Sequence, residues 1–290
     1  MICMRKLSKP TDNFGVPFVV LDTFRLCISR VRNVELKSRL RSVEDNIAEA
    51  AVEFDLAAES VTLYTIDRSN SVAGIVTKDE MISVYTGRMV PSTQPGRPIY
   101  DKIKNAAPLN RCPLCDVGVV TTLDHHLPKS EYPALAVTPN NLVPACTWCQ
   151  DAKDNWFPNT AEQQTFHPYF DDFEGEVWLR AEVVEGTPAS FEYSAAPPDA
   201  WDAVKIGRAQ SHLTAFCLSV LYTSNAGQEL VNIRKRLTDL NQAGGANAVK
   251  TPLLGEAETR LDARLNSWQS AMYSAAARSE WFCNGGFALV

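Results

Sequence analysis

Two Cys-x-x-Cys pairs, Cys112/Cys115 and Cys146/Cys149, enclose the run Leu123-Asp124-His125-His126-Leu127-Pro128 and the pair Asn140-Asn141. No other feature limits the possible folds as strongly. Four thiolates hold Zn²⁺ tetrahedrally at about 2.3 Å per bond. The two pairs therefore predict a metal-pinned hairpin that needs little hydrophobic core of its own. A single pair would also suit a redox site. Two pairs around a histidine-bearing insert point to a structural zinc ribbon.

The 290 residues suffice for one large domain or two to three small ones, and 45% hydrophobic with 21% charged residues is ordinary for a globular chain. No apolar run approaches the roughly 20 residues of a membrane span. Met1-Ile2-Cys3-Met4-Arg5-Lys6 lacks the apolar core of a secretory signal. Cys3, Cys27, Cys217 and Cys283 are scattered singly, which reads as reduced thiols and a cytoplasmic location. A net charge of −6 argues against indiscriminate binding to polyanions. Residues 1–110 carry 15 Lys/Arg against 13 Asp/Glu, and residues 161–290 carry 10 against 16. A nucleic-acid surface is therefore expected on the N-terminal half and the cysteine region. The run Arg30, Arg32, Lys37, Arg39 and Arg41 is its densest basic stretch, open to a solvated helix face or to phosphate contact.

Helices are expected over 20–32 and 35–57, and a strand over 61–66. Thr77-Lys78-Asp79-Glu80 is a capping box opening a helix toward Arg88. Pro91, Pro95 and Pro98 mark a linker, followed by a short helix near 99–106. Between the cysteine pairs, 117–123 reads as a strand delivering Asp124 and His125 at its end. Leu142-Val143 reads as the return strand and 147–156 as a helix. An aromatic lid, Phe166-His167-Pro168-Tyr169-Phe170-Asp171, closes the region. Residues 177–184 and 191–194 suggest a hairpin. From Trp201 the pattern is helical, with breaks at 225–227 and 244–245 and a final helix near 256–279.

Asp-His next to a loop and a helix suits phosphodiester hydrolysis with one divalent metal. The reaction needs a base for water and a hard cation for the charge that develops on the leaving oxygen. An imidazole titrating near 6.5 can serve as the base, here His125, and a neighbouring carboxylate, Asp124, as a hard oxygen ligand for Mg²⁺ or Mn²⁺. Asp124-His125-His126 also spells the signature of two-metal phosphoesterases, but the further strand-end aspartates those need are missing from the sequence.

Cys112-Pro113-Leu114-Cys115, Leu123-Asp124-His125-His126-Leu127-Pro128-Lys129-Ser130, Asn141-Leu142-Val143-Pro144-Ala145-Cys146 and Cys149 with Lys153 resemble the HNH endonucleases of the ββα-metal class, over residues 99–171. The resemblance implies structural zinc on Cys112, Cys115, Cys146 and Cys149. It makes Asp124 a ligand of a catalytic Mg²⁺ or Mn²⁺, His125 the general base, and Asn141 the residue that ties the loop together through the backbone. The last motif position falls on Gln150 instead of the usual Asn or His. The second protein ligand is then Gln150, His167 or Asp154. Lys153 would contact a phosphate, with Lys129, His126 and Arg111 as further substrate-binding candidates; His126 could equally pack.

The expected fold is α+β and mostly helical. A central ββα core with a four-cysteine zinc ribbon (99–175) lies between a mainly helical N-terminal region (1–98) and a C-terminal region with a hairpin and helices (176–290). The function implied is metal-dependent cleavage of DNA, with RNA open to the same chemistry, as the effector of a bacterial antiphage defence system. Such a nuclease would be gated by a regulatory ATPase, another defence subunit or a second copy of itself, with no membrane partner. The alternative from another class is a non-catalytic zinc-ribbon module that binds nucleic acid or a partner.

Overall fold

The computed structural model describes residues 6–288, which divide into two compact units at Asp171/Asp172. The fold is α+β and mostly helical, with three separate two-stranded antiparallel sheets among the described residues. Among the described residues, no helix is long and apolar enough to cross a membrane. Cys3 lies outside the described residues.

The first unit opens with helices α1 (Val20–Ile28), α2 (Val34–Ser42) and α3 (Glu44–Glu59). The single helix expected over 35–57 is divided at Val43 (φ −106°, ψ 10°), which caps α2 and begins α3. The expected strand over 61–66 is instead a 3₁₀ turn, Leu63–Thr65. Val61 takes φ 59° directly after α3, and the Leu63 N–H bonds the Gln164 side chain at 2.8 Å, so tertiary context overrides the β-branched composition. Strands β1 (Ser71–Val72) and β2 (Val76–Thr77) form a short hairpin. Helix α4 (Lys78–Arg88) begins at the expected capping box, both of whose bonds are formed between Thr77 and Glu80. Helix α5 (Arg97–Lys104) carries Pro98 in its first turn and buries Ile99, Tyr100 and Ile103. Burying each isoleucine contributes about 2 kcal/mol.

Strand β3 (Thr122–His125) pairs antiparallel with β4 (Leu142–Ala145), and α6 (Thr147–Lys153) follows at once. Strand β3 starts later than expected because Val117 to Thr121 belong to the cysteine knuckle, where Cys112 N–H bonds Gly118 O at 2.9 Å. The boundary expected at 98 falls inside this unit. Phe24, Ile28, Leu40, Ile47, Met81, Tyr85, Ile99 and Ile103 share one buried cluster with Leu123, Ala136, Val137 and Leu142. The N-terminal helices are thus the core on which the cysteine hairpin rests. The basic run is partly spent inside the unit: Arg39 bonds Glu80 at 2.8 Å, Arg30 the Thr93 carbonyl at 2.9 Å and Lys37 the Ser29 carbonyl at 2.7 Å.

The second unit holds β5 (Leu179–Val184), β6 (Ser190–Ala195), α7 (Ala203–Ala215), α8 (Leu218–Ala263), α9 (Trp268–Arg278) and α10 (Glu280–Cys283). A lone hairpin leaves both edges open, a liability for strand pairing. Here side chains cover them. Ser219 and Thr223 of α8 donate to the Tyr193 and Phe191 carbonyls at 2.9 and 2.7 Å, and Asn266 accepts from the Trp178 and Leu179 amides at 2.8 and 3.1 Å. Helix α8 runs through 225–227 without the expected break. It is interrupted at Gly244–Gly245, where Gly245 (φ 66°, ψ −157°) takes a conformation open to glycine alone. The single helix expected near 256–279 ends at Ala263 and restarts after the N-cap Ser267. His212 is fully buried among Phe173, Trp178 and Phe216.

Candidate functional site

The four cysteines converge as the paired spacing predicts. Their sulfurs lie within 4.8 Å of one another and all four are buried. Cys115 Sγ stands 3.7 Å from Cys146 Sγ, against an edge of about 3.8 Å for a tetrahedron with 2.3 Å metal–sulfur bonds. The Gly118 N–H donates to Cys115 Sγ at 3.3 Å, the kind of outer hydrogen bond that orients a thiolate ligand. A Cβ at Gly118 would come within 2.5 Å of Cys146 Cβ and Sγ, so backbone and sulfur meet here as closely as they can. Hydrogen bonds from Cys112 and the other two thiols hold the Cys146 thiol below its usual range. The four residues fit a structural ion such as zinc. Cys27 and Cys283 are also buried, and Cys217 is exposed.

The cluster joins both ends of the β3–β4–α6 segment and so fixes where its side chains point. In register, Asp124 faces Val143 and His125 faces Leu142. The connection between the strands is held by Asn141, which is fully buried. Its Oδ1 accepts from the Leu127 amide at 2.8 Å, its Nδ2 donates to the Leu127 and Leu135 carbonyls at 3.0 and 3.3 Å, and its own carbonyl accepts from the His126 amide at 2.8 Å.

A cavity of about 240 Å³ opens beside this segment, lined by Asp124, His125, Pro128, Lys129, Gln150, Asp151, Asp154 and Asn155. Residues from β3, the following loop and α6 thus meet at one place. His125 Nε2 lies 2.9 Å from the Ala136 carbonyl oxygen. A carbonyl only accepts, so Nε2 carries the hydrogen in the neutral ring, and Nδ1 is the nitrogen able to take a proton. Burial, with the Lys129 ammonium adding to it, holds the His125 imidazole down at about 3. Burial pushes the Asp124 carboxyl up, against the opposing pull of Lys153 and Lys129. Asp154 ends α6 with φ 45° and ψ −123°, a strained backbone that accompanies its place on the cavity wall.

Among the expected site residues, Lys153 and His167 lie outside the cavity lining. Lys153 is 2% exposed, and its Nζ lies 3.1 Å from Asp124 Oδ2 and 2.7 Å from the His125 carbonyl oxygen. It faces inward because α6 turns that position onto β3, and the lysine on the cavity wall is Lys129. His167 is outside the cavity lining. Its ring packs 4.2 Å from that of His126, which follows β3 and is outside the cavity lining. The His167 ring sits beside Phe54 and Phe170, so the expected aromatic lid is an inner layer of the core, with Tyr169 Oη donating to the Leu142 carbonyl at 2.7 Å. Arg111 is exposed on the knuckle and donates to the Val117 carbonyl. Gln150, by contrast, lines the cavity together with Asp124 and His125.

Tyr85 is a neighbour that sequence reasoning did not single out. Its ring centroid lies 4.4 Å from that of His125, at 74°. A tyrosine on an amphipathic helix gives no local signal of such a contact.

Over an alignment spanning 97% of this chain and the whole of its counterpart, the chain is 25% identical to protein ea31 of Escherichia phage lambda. No family model matches it, and no solved structure matches it.

Proposed function

We propose that the chain is a metal-dependent endonuclease of the HNH type acting on DNA. The observation that carries this reading is the convergence of Asp124, His125 and Gln150 on one 240 Å³ cavity, beside a cysteine cluster fit for zinc. In this reading His125 Nδ1 takes a proton from a water molecule. The water oxygen bonds to phosphorus as the bond to the 3′-oxygen breaks, and the 3′-oxygen takes a proton from solvent water, leaving a 5′-phosphate and a 3′-hydroxyl. Asp124 with Gln150 or Asp154 offers the hard oxygen donors that suit Mg²⁺ or Mn²⁺; when bound, the cation supplies charge neutralisation at the leaving oxygen. Lys129, on the cavity wall, meets the phosphate. DNA is the preferred substrate, the same chemistry extends to RNA, and gating by an ATPase, another defence-system subunit or a second copy fits a cytoplasmic effector against phage.

One observation favours the second reading, a zinc-ribbon module that binds without cutting: Lys153 already neutralises Asp124 from within the core. The two readings separate in one assay. Purified zinc-loaded chain is incubated with end-labelled and supercoiled DNA in Mg²⁺, Mn²⁺ or EDTA. Metal-dependent products with 5′-phosphate ends support the nuclease. Equal DNA retention in all three conditions without any cut product supports the binding module.

A further inference from the structure

We propose that Tyr85 of α4 is a positioning residue, holding the His125 imidazole and the Lys129 ammonium in the orientation the cavity uses; this rests on the endonuclease reading. Three contacts meet at this one side chain. Its ring stands against His125 with centroids 4.4 Å apart at 74°. Lys129 Nζ lies 5.4 Å from the same ring centroid. Its hydroxyl donates to the Leu123 carbonyl at 3.3 Å, one residue before Asp124, so the ring is tied to β3 itself.

The bond from Nε2 to Ala136 fixes one end of the imidazole but leaves the ring free to tilt about that bond. A tyrosine ring packed nearly perpendicular to it removes that freedom. The side chain is 6% exposed and belongs to the cluster formed by α1, α4 and α5, so it is anchored by the N-terminal core. The cation over its face ties Lys129 to the same element. The N-terminal helices thereby complete the candidate site. An off-angle base loses rate steeply, since displacement of about 1 Å can cost on the order of a hundredfold.

The test uses full-length chain with ¹⁵N-labelled histidine, which has only four imidazoles to assign. The wild type is expected to show His125 as a single Nε2–H tautomer with cross-relaxation between the His125 and Tyr85 ring protons. Tyr85→Phe should retain both and lower kcat within about fivefold. Tyr85→Leu, at unchanged zinc content, should keep the Nε2–H tautomer set by Ala136 but shift and broaden the His125 ring signals, and lower kcat for Mn²⁺-dependent cleavage by roughly 10–100-fold, with KM within about twofold. A Tyr85→Leu protein with wild-type His125 signals and wild-type kcat overturns the proposal. Should Tyr85→Leu not fold, absence of the ring-to-ring cross-relaxation in the wild type overturns it without any variant. If the isolated wild type cuts nothing, as a nuclease awaiting its gating partner would, the imidazole spectra still decide whether Tyr85 orients His125.

Discussion

Lys153 Nζ lies 3.1 Å from Asp124 Oδ2, and the two side chains are 1% and 8% exposed. A buried ion pair of this kind adds little to net stability, yet removing one partner leaves the other charge stranded. The pair also reassigns the lysines of the motif. Lys153 is an internal counter-charge that fixes α6 against β3, and Lys129 faces the cavity.

Lys153→Met should therefore lose about 3–5 kcal/mol of stability in urea unfolding. Adding Asp124→Asn should restore much of that loss, because the stranded carboxylate is gone. Additive losses in the double variant would contradict a direct pair.

The cysteine cluster predicts one zinc per chain by elemental analysis. Gly118→Ala should lower zinc occupancy as surely as Cys146→Ser does, since the new methyl would occupy space held by Cys146. Zinc loss should lower the melting temperature sharply, because metal binding free energy is folding free energy in a segment this small. A Gly118→Ala chain with full zinc content would refute the close packing described.

Asn141→Ala removes three side-chain hydrogen bonds from a fully buried loop. The expected cost is about 2–4 kcal/mol, mostly from backbone groups left without partners. Asn141→Asp keeps the acceptor for the Leu127 amide but sets a buried carboxylate oxygen against the Leu127 and Leu135 carbonyls, so at neutral pH it should cost more than alanine. Chemical denaturation of the three proteins checks the order.

The His125 imidazole is held at about 3 in the folded chain, while an unfolded histidine titrates near 6.5. Between those values the unfolded state binds the extra proton, so stability falls as pH falls. The slope for this group is about 1.4 kcal/mol per pH unit. Urea unfolding should show about half that slope between pH 7 and 6 and nearly all of it between pH 6 and 5 in the wild type, and a shallower one in His125→Gln. The base also stays neutral throughout this range, so cleavage should show no acidic limb near pH 6.5 from His125.

The four-cysteine cluster, the β3–β4–α6 order, the capping box at Thr77 and the hairpin β5–β6 were all legible because each is encoded locally, by spacing, capping chemistry or alternation. Where distant contacts decide, the sequence misled. Residues 61–66 look like a strand, but Gln164, a hundred positions away, takes the Leu63 amide. Lys153 looks like a surface cation until α6 is docked on β3. His167 looks like a spare ligand until it is found packed on His126, outside the cavity that His125 lines. Tyr85 could not be found at all, because its importance lies wholly in what α4 packs against.

The most direct test of the central claim is single-turnover cleavage of supercoiled plasmid in Mn²⁺ by wild type and His125→Ala, at equal zinc content. If His125 is the general base, the variant should cut at least about a hundredfold more slowly while retaining DNA binding. Equal rates in the two proteins, or wild-type cutting that persists in EDTA, would contradict it.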